Sequence, residues 1–145
     1  MERTNFQLAE LIYLVQGDEW YDLHSGYKFT GLQYDPRSQG VVLSWARGRW
    51  GGPSQPAKLA LRFSGVDHFS VHPRDPELPY TEDTSLAEVA YLSPEDLSEN
   101  ELGRMGMEEQ ATDQSFLIFH FQSEQKIVVR SQQVSLHVFE QPAEV

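Results

Sequence analysis

The 145-residue chain contains no cysteine, and this absence removes several kinds of chemistry at once. Without a thiol there is no disulfide scaffold, no thiolate nucleophile and no zinc–thiolate site. A chain of this length can still bury about 68–70% of the surface that it exposes when unfolded, so it needs no cross-link or metal in order to fold. The length fits one domain, and we expect residues 1–145 to form a single unit.

Basic side chains are also scarce, since 11 lysines and arginines stand against 22 acidic residues, for a formal net charge of -11. This balance argues against a general nucleic-acid coat or a binder of anionic membranes. No apolar run approaches the roughly 18 residues that a membrane span needs, and the first residues lack the basic start of a secretory signal. The sequence therefore predicts a soluble, cytoplasmic protein.

The motifs of common catalytic sites are absent as well. There is no Gly-x-Ser-x-Gly elbow, and the glycine-rich stretch at 47–52 lacks the lysine and hydroxyl of a phosphate-binding loop. Acidic pairs are frequent, but in so acidic a chain they arise by chance, and none matches a calcium loop. We therefore predict no catalytic residue and no cofactor, and favour a protein that is not an enzyme.

The histidines do not predict a metal site either. His68 and His72 are four apart, a spacing that on a helix would let them share an ion. They fall in a predicted strand, where four residues span roughly 13 Å. His120 and His137 also lie in predicted strands, and such lone histidines are usually hydrogen-bonded structural residues. His24 is expected in a loop, and no metal ligand is assigned.

Alternation of apolar and polar residues predicts strands over the region 27–72. Tyr27–Tyr34 and Val41–Arg47 flank a turn that begins Asp-Pro, and should form a hairpin. Lys58–Ser64 alternates cleanly, and Val66–Val71 follows after a glycine bend.

The chain start is predicted to be a short helix over about 5–16. Its apolar residues have helical i, i+3, i+4, i+7 spacing, and Gly17 is placed to end it. A strand at Leu11–Val15 is the alternative.

An irregular, proline-containing acidic connector is expected over about 73–114. It holds a weak strand or helix at Leu86–Leu92 and a helix start at Ser93-Pro94-Glu95-Asp96. The C-terminal part, about 115–140, is predicted to be an antiparallel meander, because its last two strands are joined by the short link 131–133. The expected class is mainly β or α+β: an antiparallel sandwich or half-barrel of six or more strands with one or two short helices.

The charge is unevenly distributed along the chain. Residues 23–74 carry seven bases and two acids, for +5, whereas residues 75–113 carry twelve acids and one base, for -11. The acidic segment has three interpretations: a solvated loop, a docking surface for a basic partner, or a segment that folds back over the basic strands.

The most distinctive local stretch is 44–53, in which tryptophans and arginines flank a glycine-rich strand end. Tryptophan and arginine are enriched at interface hot spots, and arginines beside aromatic rings can also hold bases and phosphates. A strand would place Trp45, Arg47 and Arg49 on one side and Trp50 on the other. The alternative is that Trp45 is core and the arginines are solvated; the overall charge disfavours nucleic acid.

Three functional hypotheses follow. The first is a non-enzymatic protein-binding domain, such as a small acidic inhibitor or immunity-type protein that neutralises a basic enzyme. Its docking surface would comprise Glu95, Asp96, Glu99 and Glu101. The second is a binding protein for an anionic metabolite, or a minor enzyme, with a pocket near Trp45, Arg47, Arg49 and Trp50, where the arginines suit a phosphate or carboxylate. A homo-oligomeric building block is a third hypothesis, and the sequence does not fix the oligomeric state.

Overall fold

A computed structural model describes residues 5–94 and 114–140, together with the backbone of two short strands at 2–3 and 107–108. The described residues form mostly β-strands, which confirms the predicted β-rich, sandwich-like class. In chain order the elements are β1 (Glu2–Arg3), β2 (Gln7–Ala9), β3 (Tyr13–Gln16), β4 (Glu19–Asp22), β5 (Tyr27–Asp35), β6 (Gly40–Arg47), β7 (Lys58–Ser64), β8 (His68–His72), the 3₁₀ turn η1 (Tyr80–Thr84), β9 (Leu86–Leu92), β10 (Met107–Glu108), β11 (Phe116–Phe121), β12 (Lys126–Arg130) and β13 (Gln133–Phe139).

These strands are arranged in three sheets. The first sheet has the order β1-β13-β7-β6-β5, the second β10-β9-β11-β12-β8, and the third is the small β2-β3-β4. Neighbours pair antiparallel, except that β1 runs parallel to β13. The predicted hairpin is confirmed as β5 and β6, and the ambiguous stretch Leu86–Leu92 is a strand.

An aromatic-rich core joins the two large sheets. Successive side chains of a strand point to opposite faces, so every second residue of these strands points into the core. Trp45 on β6 packs against Phe119 on β11, with ring centroids 5.8 Å apart. Phe29 on β5 approaches Phe121 on β11 to 4.8 Å. The third sheet adds Leu14, which is fully buried, to the same cluster.

The two large sheets share one bent ribbon. β7 pairs with β13 in the first sheet, and their continuations β8 and β12 pair in the second. The bend is made at Gly65, whose φ of 66° suits glycine, and its carbonyl accepts a hydrogen bond from the Gln132 amide at 3.1 Å. Both strands of the ribbon therefore change sheet at the same place.

This crossing corrects the predicted C-terminal meander. β11 and β12 do form an antiparallel pair, but β13 pairs with β7 and β1, not with β12. The short link after Arg130 does not reverse the chain. It carries the chain into the other sheet, with Ser131 buried and its hydroxyl donating to the Gln133 carbonyl at 2.9 Å.

The helix predicted over 5–16 is also wrong, because these residues form the hairpin β2–β3. Its turn places Glu10 and Leu11 at φ of 51° and 63°, values that glycine or asparagine usually supply. Leu11 is held there by a tertiary contact, since its carbonyl accepts from the Val89 amide at 2.7 Å. The helix predicted from Ser93 falls, beyond residue 94, outside the described residues.

Candidate functional site

The four tryptophan and arginine residues predicted as a site do not share one surface. Trp45 has no exposed surface, and its ring lies 5.4 Å from Phe29 in the core. β6 ends at Arg47, so Arg49 and Trp50 belong to the β6–β7 loop, residues 48–57, and not to the strand. The prediction that Trp45, Arg47 and Arg49 lie on one side of a strand is therefore wrong.

Arg47 holds the β6–β7 loop in place. Its Nη1 donates to the carbonyls of Pro53 at 3.1 Å and Gln55 at 2.7 Å. Tyr27 supports the same loop, because its hydroxyl donates to the Pro56 carbonyl at 2.8 Å. Burial raises the pKa of Tyr27 to about 12, so the phenol keeps the proton that it donates.

Glycines bring this loop close to the turn between β4 and β5. The Gly48 amide donates to the Gly26 carbonyl at 2.9 Å. A Cβ on Gly51 would lie 2.7 Å from that carbonyl oxygen and 2.6 Å from the Cγ of Arg47, so only glycine fits at 51. Arg49 and Trp50 stand at the tip: the Trp50 side chain is 77% exposed, with the Arg49 guanidinium 5.4 Å from its ring centroid.

The opposite wall starts with the β4–β5 turn. Asp22 shapes this turn, since its Oδ1 accepts from the amides of His24 at 2.8 Å and Ser25 at 2.9 Å. His24 Nδ1 lies 2.6 Å from the Leu86 carbonyl oxygen. A carbonyl can only accept, so we assign the proton to Nδ1. The Ser85 hydroxyl donates to the His24 carbonyl at 3.4 Å, which ties the turn to the start of β9.

The 3₁₀ turn η1 completes the wall, and its helical repeat decides which of its side chains face the cleft. With three residues per turn, Thr81 and Thr84 lie on one side of η1, and both line the cleft that faces Arg49. Asp83 points elsewhere, to an ion pair of 2.8 Å with Arg74, whose guanidinium also lies 4.5 Å from the Tyr80 ring centroid. Among the described residues, the acidic segment therefore lines the cleft with hydroxyl groups, and the Asp83 carboxylate pairs with Arg74 outside the cleft lining.

Together these walls enclose a cleft of about 600 Å³, which we call the basic cleft. It is lined by His24, Ser25, Tyr27, Lys28, Gly48, Arg49, Trp50, Thr81, Thr84 and Ser85. Lys28 and Arg49 form no ion pair with the described residues, and none of the lining side chains is acidic. The cleft therefore offers two cations with no ion pair in the part of the chain that the structure describes, together with several hydroxyls and an exposed indole, in a chain whose net charge is -11.

Of the residues predicted as a site, the structure brings Arg49 and Trp50 together in the basic cleft. Trp45 and Arg47 support it from behind, and Glu95, Asp96, Glu99 and Glu101 lie outside the described residues. The sequence interpretation missed Lys28, His24 and the hydroxyls of η1. The +5 charge of 23–74 contained Lys28, but only the folded structure shows that it lines the same cleft as Arg49.

Comparison of the chain with protein-family models, curated proteins and solved structures found no match. Over the described ranges, no group of three or more histidines and acids is placed to hold a metal ion. No helix in that part of the chain is long and apolar enough to cross a membrane. The geometry and charge of the basic cleft therefore provide the basis for a function.

Proposed function

We propose that this protein binds a small organic anion in the basic cleft. The observation that carries the proposal is that Lys28 and Arg49 both line the cleft, and that no acidic residue lines it with them. In a chain this acidic, two cations at a concave surface that is lined by no described carboxylate favour a ligand that supplies the negative charge. The volume of about 600 Å³ is within the range of small-molecule sites.

Each wall has a distinct role in this proposal. Arg49 presents a planar fork that matches a carboxylate or phosphate, and Lys28 adds a point charge. Trp50, being 77% exposed beside Arg49, provides a face on which a planar ring can stack. The Thr81 hydroxyl can donate to one of the ligand's remaining oxygens. The hydroxyls of Thr84 and Ser85 already donate to the carbonyls of Thr81 and His24, so they can only accept from the ligand. The preferred ligand is therefore an aromatic or heterocyclic ring that carries a phosphate or a carboxylate.

Titration of tryptophan fluorescence with a panel of nucleoside monophosphates and aromatic carboxylates tests this proposal. The double variant Lys28→Gln, Arg49→Gln should bind at least tenfold more weakly, because each charged hydrogen bond contributes about 1.5–3 kcal/mol. Arg37→Gln removes one surface charge from the β5–β6 turn and should bind as the unaltered protein does. If no anion in the panel changes the fluorescence, or if the double variant binds equally well, the proposal fails.

The acidic segment supports a second proposal, the protein-binding inhibitor. Residues 75–113 carry twelve acids against one base, and desolvated acids opposite a basic partner would give fast, specific association. Reversing Glu95, Asp96, Glu99 and Glu101 to lysine should abolish capture of a basic partner, whereas Lys28→Gln, Arg49→Gln should retain it. Equal capture by the reversed and unaltered proteins would contradict this proposal.

A further inference from the structure

A second concave surface lies on the face of the first sheet that points away from the core. Pairing of β5, β6 and β7 places Gly31 opposite Ser44, and Ser44 opposite Ala60. This row of small residues forms a furrow across the three strands. We call it the sheet groove; its volume is about 400 Å³, and Arg62 and Lys58 also line it.

The two cations of the sheet groove have no anionic partner among the described residues. Neither Lys58 nor Arg62 forms an ion pair with any residue that the structure describes, and none of the lining residues is acidic. The ammonium of Lys58 lies 5.4 Å from the ring centroid of Phe139, which borders the groove. The groove is thus positively charged, and it shares no lining residue with the basic cleft.

The neighbouring histidine does not add to this charge. His137 pairs with Ala60 in the adjacent strand, and its Nε2 lies 2.9 Å from the Ser135 hydroxyl. Burial, and secondly the charge of Arg62, lower its pKa, so it is neutral at neutral pH. Among the residues that line the sheet groove, the positive charge therefore comes from Lys58 and Arg62.

The spacing of those cations indicates the ligand. Lys58, Ala60 and Arg62 alternate onto one face of β7, so the two cations stand on either side of the furrow, with Cα atoms roughly 13 Å apart. Both side chains are long enough to lean over Ala60 from opposite ends. A ligand with one negative charge at each end fits this arrangement better than a compact anion, since a single charge could approach both cations only if both stems folded over.

We propose that the sheet groove binds a small dicarboxylate. One carboxylate would accept from the Arg62 fork and the other from the Lys58 ammonium, with the carbon chain lying over Ala60 and the Ser44 hydroxyl available to either end. This is a binding site additional to the basic cleft, and its existence does not depend on the ligand of that cleft.

Titration of the ¹⁵N-labelled protein with succinate tests the proposal. We expect saturable shifts of the amide signals of Gly31, Ser44 and Ala60. Arg62→Gln and Lys58→Gln should each weaken binding about tenfold or more, because each removes a charged hydrogen bond. Arg37→Gln removes one charge from the β5–β6 turn, outside the lining of the groove, and should leave these shifts unchanged.

Acetate and inorganic phosphate are the comparison ligands, and both should produce much smaller shifts at equal concentration. Ser44→Leu fills the furrow while retaining both charges, so it should abolish succinate binding even if a charge variant fails to fold. The proposal is overturned if succinate causes no saturable shift, if acetate or phosphate binds as well, or if Ser44→Leu binds normally.

Discussion

Two tryptophan–arginine pairs lie within six residues of each other, and they have opposite roles. Trp45 and Arg47 belong to β6: the first is fully buried in the core, and the second fastens the β6–β7 loop through two carbonyls. Trp50 and Arg49 are at the exposed tip of that loop and line the basic cleft. The two pairs have the same residue types, so residue type does not explain their different roles. The position of the end of β6 explains them, because the chain leaves the sheet after Arg47.

The inner pair, Trp45 and Arg47, supports the cleft from behind, whereas the outer pair, Arg49 and Trp50, lines it. The inner pair should therefore control stability and the outer pair binding. Substitutions within the two pairs, and at the residues that hold the β6–β7 loop in place, test this division.

The largest expected effect is at the tryptophans. Trp45→Ala should lower the free energy of unfolding by about 3–5 kcal/mol, because it removes a large buried ring that packs against Phe29 and Phe119. Trp50→Ala should change it by no more than about 0.5 kcal/mol, since its side chain is 77% exposed. Urea unfolding of both variants measures the difference. Similar losses would mean that the two tryptophans are not divided between core and surface.

Glycine substitutions in the loop give the next largest effect. Gly51→Ala should destabilise by about 1–3 kcal/mol, because its Cβ would lie 2.7 Å from the Gly26 carbonyl oxygen. Gly52→Ala is the matched control: its Cβ would meet no atom closer than 3.9 Å. Thermal unfolding of the two variants should separate them clearly, and equal stability would show that the loop does not approach Gly26 so closely.

Alkaline pH tests the anchor of the loop at Tyr27. Burial, with a smaller contribution from Tyr21, raises the pKa of Tyr27 from its ordinary value of 10.0 to about 12. Below pH 10 both folded and unfolded chains keep the proton, and the full stability is present. Between pH 10 and 12 the unfolded chain releases the proton first, so the free energy of unfolding should fall by up to about 1.4 kcal/mol per pH unit.

Tyr27→Phe cannot ionise at this position, so its stability should decline less steeply in the same pH window. Tyr21, whose pKa burial also raises, would account for part of the remaining slope. At pH 8 the variant should be less stable by about 1 kcal/mol, since it loses the hydrogen bond to Pro56. Urea titrations at pH 8, 10 and 11 measure both effects. Identical slopes for the two proteins would contradict a raised pKa at Tyr27.

The smallest expected effect is at the arginines. Arg47→Gln should cost about 1 kcal/mol of stability, because two hydrogen bonds to the loop are lost at a solvent-exposed site. Arg49→Gln should leave stability unchanged and weaken anion binding directly. If Arg47→Gln weakens binding without any loss of stability, Arg47 itself contacts the ligand and the division between the pairs is wrong.

The strands were largely predictable because the alternation of the two large sheets is strong. Lys58–Ser64 has the bounds that its alternation indicates. Phe116–Phe121 is instead nearly all apolar, the pattern of a strand covered on both faces, and it is a strand with those bounds. The N-terminal hairpin was not predictable from pattern alone. Its turn residues Glu10 and Leu11 do not favour positive φ, and the contact that holds Leu11 comes from Val89, far along the chain.

The site was predictable only in part, for the same physical reason. Arg49 and Trp50 are distinctive in the sequence, but they reach the cleft only because β6 ends before them, at Arg47. The hydroxyls of η1 are separated from them by about thirty residues of sequence, and the crossing at Gln132 that replaces the predicted meander depends on Gly65. Local patterns contain no information about such long-range partners.

The bent ribbon also has a consequence for how the protein folds. β13 lies between β1 and β7 in the first sheet, and the Asn5 side chain both donates to the Leu136 carbonyl and accepts from its amide, at 2.7 and 2.8 Å. Closing contacts between such distant parts of the chain is slow, since loop entropy is lost before the pairing is gained. On a ribosome, the first sheet stays incomplete, and the edge of β7 unpaired, until residues 133–139 have emerged.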